Sequence, residues 1–256
     1  MAANEMSVVD HLHELRKRII ICVISISSVA FYIYDNVGYL INILMKPIAN
    51  FNLSLVYFNL TEGFVTKLEV SFIAALIITS PITIYEILAF VRVGLTSREK
   101  KFLYKNAFFL SILFIFGIVF GYTMILPYSL RFLISYGNSY LKAVLNGNIY
   151  FNFLGIFCLY TGIMFLIPYV LVIFGKLDLI TSKILRKKQI PVILGVLMVE
   201  GLLLPSVDFF TFAVVAAPVL LMYEVSIWII FLSERKKRRK ANVSSSSRKG
   251  FKFRRK

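Results

Sequence analysis

Residues 106–127 read NAFFLSILFIFGIVFGYTMILP, twenty-two positions without one charged side chain. A run of about 20 apolar residues is the length that crosses the hydrocarbon core of a bilayer. The chain has several such runs, at about 19–44, 64–93, 102–127, 150–175, 190–204 and 209–232. Of its 256 residues 59% are hydrophobic and only 16% charged, with a mean hydropathy of +0.79. Those values belong to integral membrane proteins and not to soluble domains. The expected fold is an all-α integral membrane protein of six transmembrane helices. The fifth run is the exception in length. Fifteen helical residues reach about 22 Å, against a core of about 30 Å. Pro205-Ser206-Val207-Asp208 then turns the chain into the sixth run, so 190–232 reads as a short helical hairpin whose tip stops below the membrane surface.

Orientation follows from lysine and arginine. The lead before Ile19, the stretches 92–105 and 176–188, and the tail after Leu232 hold 25 of the 29 basic residues. The opposite side has Lys46, Lys67, Arg131 and Lys142. The positive-inside rule therefore puts both termini in the cytoplasm. A net charge of +16 could suggest nucleic acid, but the charge falls in short blocks between apolar runs and is first a topology signal. Three regions result: a cytoplasmic N-terminal segment 1–18, a six-helix domain 19–232, and a basic tail 233–256 expected to be disordered, with anionic lipid as a candidate contact. The first run follows a charged lead and lacks a small-residue cleavage site, so it is expected to stay as an anchor. The loops 45–63 and 128–149 mix Tyr, Phe and Asn with few charges and read as interfacial caps.

Catalytic machinery is hard to find. His11 and His13 are two apart and point to different sides of a helix, a poor metal pair. Intramembrane histidine, a P-loop, a dinucleotide fingerprint and HExxH are all absent from the sequence. No metal or cofactor is expected. Cys22 and Cys158 sit in apolar runs and read as buried thiols, not as a disulfide. What remains are carboxylates in apolar surroundings: Glu69, Glu86, Glu200 and Glu224. A charge inside a membrane costs on the order of 3 kcal/mol on insertion scales, so each invites a function. Glu69 and Glu86 lie near helix ends and could reach the interface; Glu200 and Glu224 lie deeper. Thr96-Ser97-Arg98-Glu99 fits a capping box at the start of the third helix, and Gly94 suits the end of the second. Gly117 and Gly121 make a GxxxG packing notch. Pro81, Pro127 and Pro168 are expected to kink or end helices.

One further segment stands out. His11-Leu12-His13-Glu14-Leu15-Arg16-Lys17-Arg18 leads straight into the first apolar run and places a carboxylate one turn before Arg18. Together with Pro81-Ile82-Thr83-Ile84-Tyr85-Glu86, Phe90, Gly94-Leu95, Arg98-Glu99, Gly117–Tyr122, Pro127, Leu204–Asp208, Pro218 and Tyr223-Glu224, in that order, it resembles the TatC family, the multispanning subunit of the twin-arginine protein translocase. The resemblance covers about residues 7–232. It implies a receptor for twin-arginine signal peptides of folded proteins at the cytoplasmic face, which assembles with small single-span TatA/TatB-type subunits. It implies transport driven by the proton-motive force, without ATP and without an enzymatic step. Matching positions suggest Glu14 and Glu99 as signal-binding carboxylates, supported by Arg16 and Phe90. They suggest Pro47 and Asp208 at the outer face, and Tyr122 and Glu224 in the membrane. Two positions depart. Val93 stands where the family often has proline, and Leu166 where it has Glu or Gln; Glu200 is the expected replacement for the latter.

The electrostatics agree. Paired arginines need planar, bidentate acceptors, which carboxylates supply. The basic inner face repels a cationic ligand on average, so binding must rest on a few placed acids. The alternative is a proton-coupled small-molecule transporter that uses Glu69, Glu86, Glu200 and Glu224 as a relay. It is disfavoured because no inverted repeat is visible.

Overall fold

The computed structural model describes the backbone of residues 8–49, 51, 53–91, 97–135, 144–177, 179–203 and 209–253. Side chains are described over most of these, but not at 8, 97–105, 132, 133, 135, 200, 202–212, 214, 215, 237, 238 or 240–253. Helices dominate, as a backbone without water to bond requires. They are α1 (Val8–Asp35), α2 (Val37–Ala49), α3 (Glu62–Ile78), α4 (Ser80–Val91), α5 (Ser97–Phe120), α6 (Leu126–Ser135), α7 (Gly147–Lys176), α8 (Ser182–Lys187), α9 (Gln189–Leu203) and α10 (Phe209–Phe253). Four are long and apolar enough to span, and the bent pair α3–α4 makes a fifth. The remaining expected span, α9, is the short fifth run, at 15 residues.

Proline chemistry explains the breaks. Pro81 has no N–H for the Ile77 carbonyl, and its ring crowds that turn. The chain bends by 57° between α3 and α4. Around the bend Thr79 Oγ1 donates to the Ala75 carbonyl at 2.7 Å and Thr83 Oγ1 to the Thr79 carbonyl at 3.2 Å. Such hydroxyl back-bonding favours bending. Pro127 acts differently. The turn before it widens into a π-helix at Gly121–Ile125, and the helix continues as α6 through Ser135 instead of ending at 127.

Three boundaries differ from the sequence expectation. Helix α1 begins at Val8, so most of the lead is already helical and carries its side chains on the faces of α1. The first apolar run is not one rod. It stops at the polar pair Asp35-Asn36, and α2 restarts at Val37 as a separate amphipathic element. The last helix runs on through Phe253, so the basic tail continues α10 and is not an irregular segment from 233. Arg, Lys and Ala are good helix formers, and an established helix propagates more easily than a new one starts.

Helix α7 is the centre, packing against α3, α5 and α10. Its Leu154, Phe157 and Cys158 join Val70, Ile125 and Leu126 in one apolar cluster, and Ile173 joins Ile84, Leu110 and Phe114 in another. The expected glycine notch is real. A Cβ on Gly117 would meet the Thr161 carbonyl at 2.8 Å, so α5 and α7 touch backbone to backbone. Helix α1 is peripheral: only 6% of its apolar window is buried. Its placement therefore rests on one face, packed against α3 and α4.

The two ends of the bundle are built differently. At the end holding the starts of α3 and α7, Leu55 and Val56 pair in parallel with Leu145 and Asn146. The Glu62 carboxylate accepts from Phe58 N, Asn59 Nδ2 and Asn146 Nδ2 at 2.8–2.9 Å. Asn146 also caps α7, its Oδ1 accepting from Ile149 N at 3.0 Å. Asn146→Ala removes both roles and is expected to cost about 1 kcal/mol, read as a lower midpoint in chemical denaturation of the detergent-solubilised protein. At the other end, the N–H and hydroxyl of Ser182 donate to Glu234 at 2.8 and 2.7 Å, and Tyr223 donates to the Leu185 carbonyl at 2.9 Å. These bonds fasten α8 to α10.

Candidate functional site

Helices α1 and α4 run antiparallel, which lines up their side chains in layers one turn apart. His11 and Phe90 stack with ring centroids 4.4 Å apart and planes 20° from parallel. One turn deeper, Arg18 lies between Glu14 of its own helix and Glu86 of α4. Arg18 Nε and Nη2 both donate to Glu14 Oε1, at 3.1 and 2.6 Å, and Nη1 donates to Glu86 Oε2 at 2.6 Å. Below that, Cys22 of α1 faces Thr83 of α4. Glu14 and Arg18 meet because residues four apart are neighbours on a helix. Glu86 joins them through the packing of α4 against α1.

Burial grades the three charges. The side chain of Glu86 is 10% exposed, that of Arg18 17% and that of Glu14 22%. Glu86 is thus a buried carboxylate neutralised by a guanidinium, the only economical way to keep such a charge out of water. Glu14 is the more accessible acid, and among the described residues its Oε2 carries no hydrogen bond. Among the described residues, two carboxylates and one guanidinium leave one net negative charge in this layer. Arg16 and Lys17 are exposed on the other side of α1.

Of the two expected signal-binding acids, Glu14 is in this cluster. Glu99 lies in the first turn of α5, which begins at Ser97 as a cap at Thr96 requires, but Thr96 and the Glu99 side chain fall outside the described residues. Phe90 is present through its stack on His11. Arg16 is not packed into the cluster; Arg18 is the arginine that the tertiary structure selects. Arg18, Glu86 and His11 are the residues that sequence reasoning missed as site members. The four-residue spacing of Glu14 and Arg18 was a usable signal for the first.

The remaining expected positions scatter. Glu224 accepts from Gln189 Nε2 at the start of α9, and Glu69 accepts from Asn148 Nδ2 at 2.9 Å at the far end of the bundle. With Glu86 held by Arg18, each of these three acids has its own partner, and they form no relay. Tyr122 donates from its hydroxyl to the Ile43 carbonyl at 2.6 Å, linking the π-turn to α2 beside Pro47. Asp208 and the side chain of Glu200 lie outside the described residues. The expectation that Glu200 replaces the polar group missing at Leu166 falls on a side chain outside the described residues. Leu166 packs among Ile84, Leu110 and Phe114, whereas α9 meets α7 through Tyr160 and Met164, on the opposite face. Both cysteines are free thiols. Among the described residues no cluster of three or more His, Cys, Asp or Glu could hold a metal ion.

The sequence profile of the family described as Sec-independent protein translocase protein (TatC) matches residues 10–218, most of the chain and all of this cluster. The chain belongs to the TatC family. It is 35% identical over 229 residues to the Sec-independent protein translocase protein TatC of Carboxydothermus hydrogenoformans, covering 90% of this chain and 94% of that one. The TatC of Koribacter versatilis is 31% identical over 255 residues, covering 97% of this chain and 94% of that one. A crystal structure of the twin-arginine translocase receptor TatC superposes with a TM-score of 0.76 at 29% identity, over 88% of this chain and 99% of the other. The fold is therefore that of a protein translocase component embedded in a membrane.

Proposed function

We propose that this chain is the receptor subunit of a twin-arginine translocase, with Glu14 as an acceptor for the signal peptide's arginine pair. The observation that carries the reading is Glu14 Oε2, which takes no hydrogen bond among the described residues, on a half-buried carboxylate in a layer whose described side chains are net negative. It sits at the end of the bundle where the basic segments gather. A guanidinium recognises such an oxygen by a charge-assisted bond, and that bond gains strength in a partly dry site. Glu99, in the first turn of α5, is the second acceptor. Between α4 and α5 a groove of about 470 Å³, lined by Pro81, Tyr85, Phe108 and Ile112, offers apolar surface to the hydrophobic stretch of the peptide.

In this reading both termini are cytoplasmic, as the distribution of basic residues predicts. The protein acts by binding and assembly, with small single-span TatA/TatB-type subunits as partners. Transport draws on the proton-motive force in the bacterial-type cytoplasmic membrane. The basic extension of α10 lies along anionic headgroups, each cation contributing roughly 1 kcal/mol. The transporter reading has no observation in its favour among the described residues, where Glu69, Glu86 and Glu224 are separately paired.

The test is site-specific photocrosslinking from positions flanking Glu14 and Glu99 to a synthetic twin-arginine signal peptide. Glu14→Gln is expected to reduce crosslinking about tenfold to a hundredfold, the value of a hydrogen bond to a charged group. Equal yields for Arg-Arg and Lys-Lys peptides would overturn the assignment.

A further inference from the structure

We propose that Arg18 is a resident competitor for the arginine site: it occupies Glu14 until ligand arrives, and Glu86 holds it when it is displaced. The inference rests on the reading of Glu14 as a signal-peptide acceptor. Arg18 presents to Glu14 the group the ligand would present, a guanidinium donating two N–H bonds. Both of those bonds fall on the single oxygen Oε1, and among the described residues Oε2 takes none, so it is available to an incoming fork. Its third bond goes to the more buried carboxylate, Glu86, on a different helix. Arg18 therefore need not enter lipid or lose its counter-charge when Glu14 is taken. Its guanidinium shifts onto Glu86, where it already has one bond.

This arrangement has a consequence for specificity. The ligand must displace a planar, forked donor, and a second fork does so better than a point charge. Arg18 thus raises the threshold that a lysine must pass. Glu86 is a positioning residue here, acting on the ligand only through Arg18. Helix α1 is otherwise scarcely buried, so the same exchange reads ligand occupancy into the ionic link between α1 and α4.

The charge count makes the inference testable. The layer carries one net negative charge in the natural protein. Arg18→Gln takes it to two, Glu86→Gln to zero, and Arg18→Gln/Glu86→Gln returns it to one. Fluorescence anisotropy would follow labelled Arg-Arg and Lys-Lys signal peptides binding the full chain in nanodiscs. Arg18→Gln is expected to tighten Arg-Arg binding about tenfold and to narrow the preference over Lys-Lys. Glu86→Gln is expected to weaken Arg-Arg binding about tenfold, and adding Arg18→Gln to restore it. If Arg18→Gln alone fails to fold, the double variant decides: it recovers Arg-Arg affinity and also narrows the preference over Lys-Lys, which restored folding by itself would not do. A double variant as weak as Glu86→Gln, beside a Glu14→Gln that abolishes binding, would refute the competitor role and leave the receptor reading intact. Unchanged binding by Glu14→Gln would remove both.

Discussion

Gly117→Leu is expected to lower the stability of the detergent-solubilised protein by about 3 kcal/mol, the upper end of the range for overpacking. The reason is where the new atoms go. A Cβ at 117 meets the Thr161 carbonyl oxygen at 2.8 Å, Phe165 Cβ at 2.9 Å and Gly162 Cα at 3.0 Å. Two of these are backbone atoms of α7 and cannot rotate away. Relief requires α5 and α7 to separate, and these helices form the most extensive pair in the fold. Gly121 differs: its Cβ would strike the Thr161 side chain, which can move only by giving up its 2.9 Å bond to the Cys158 carbonyl. Gly195→Ala is the control. Nothing lies within 4 Å of a Cβ there, and replacing a helical glycine is expected to stabilise by about 1 kcal/mol. Chemical denaturation of the three proteins checks the order. Similar midpoints for Gly117→Leu and the natural protein would mean that α5 and α7 do not touch through this notch.

Tyr122→Phe is expected to cost about 1–2 kcal/mol, and Pro47→Ala to remove most of that cost. In α2 the Ile43 carbonyl would normally accept from the N–H of residue 47, but residue 47 is proline. Tyr122 supplies the missing donor across 79 residues of sequence, at 2.6 Å. Tyr150 makes the adjacent bond to the Leu44 carbonyl at 2.7 Å. Deleting the Tyr122 hydroxyl leaves the Ile43 carbonyl with no donor, while Pro47→Ala restores one from within the helix. A double-mutant cycle on unfolding free energy reads the coupling. An equal cost of Tyr122→Phe in both backgrounds would show that the tyrosine serves some other partner. The bond runs from Tyr122 to the Ile43 carbonyl, the acceptor that Pro47 leaves without its helical donor, and so relates two positions that family resemblance marks separately, Pro47 at the outer face and Tyr122 in the membrane. The Tyr122–Ile43 bond docks α2 on the π-turn.

The helical elements were largely legible. Apolar runs, proline positions and the glycine notch are local or periodic signals, and bilayer chemistry leaves little choice but helices. The short fifth run was read correctly because its length is set by where charge and proline stop it. The break at Asn36 and the extension of α10 were not foreseen. One depends on two polar residues inside an apolar stretch, the other on a helix propagating into residues that would not start one. The pairing of Leu166 with α5 was missed because a sequence does not say which face of α7 meets which neighbour.

Glu14 was identifiable from sequence as an acid beside arginines on a basic surface, and the order of the family's motifs located it. The membrane class and the short fifth helix likewise follow from local composition. Segment length, hydropathy and the desolvation cost of a peptide bond act on each stretch by itself. The partnership of Arg18 with Glu86 could come only from the tertiary structure. Sixty-eight residues separate them, and either could have snorkelled alone to water. Their pairing was settled by the bend before Pro81, which lays α4 along α1 and closes a buried carboxylate onto the nearest guanidinium, because neither charge is tolerated alone at that depth.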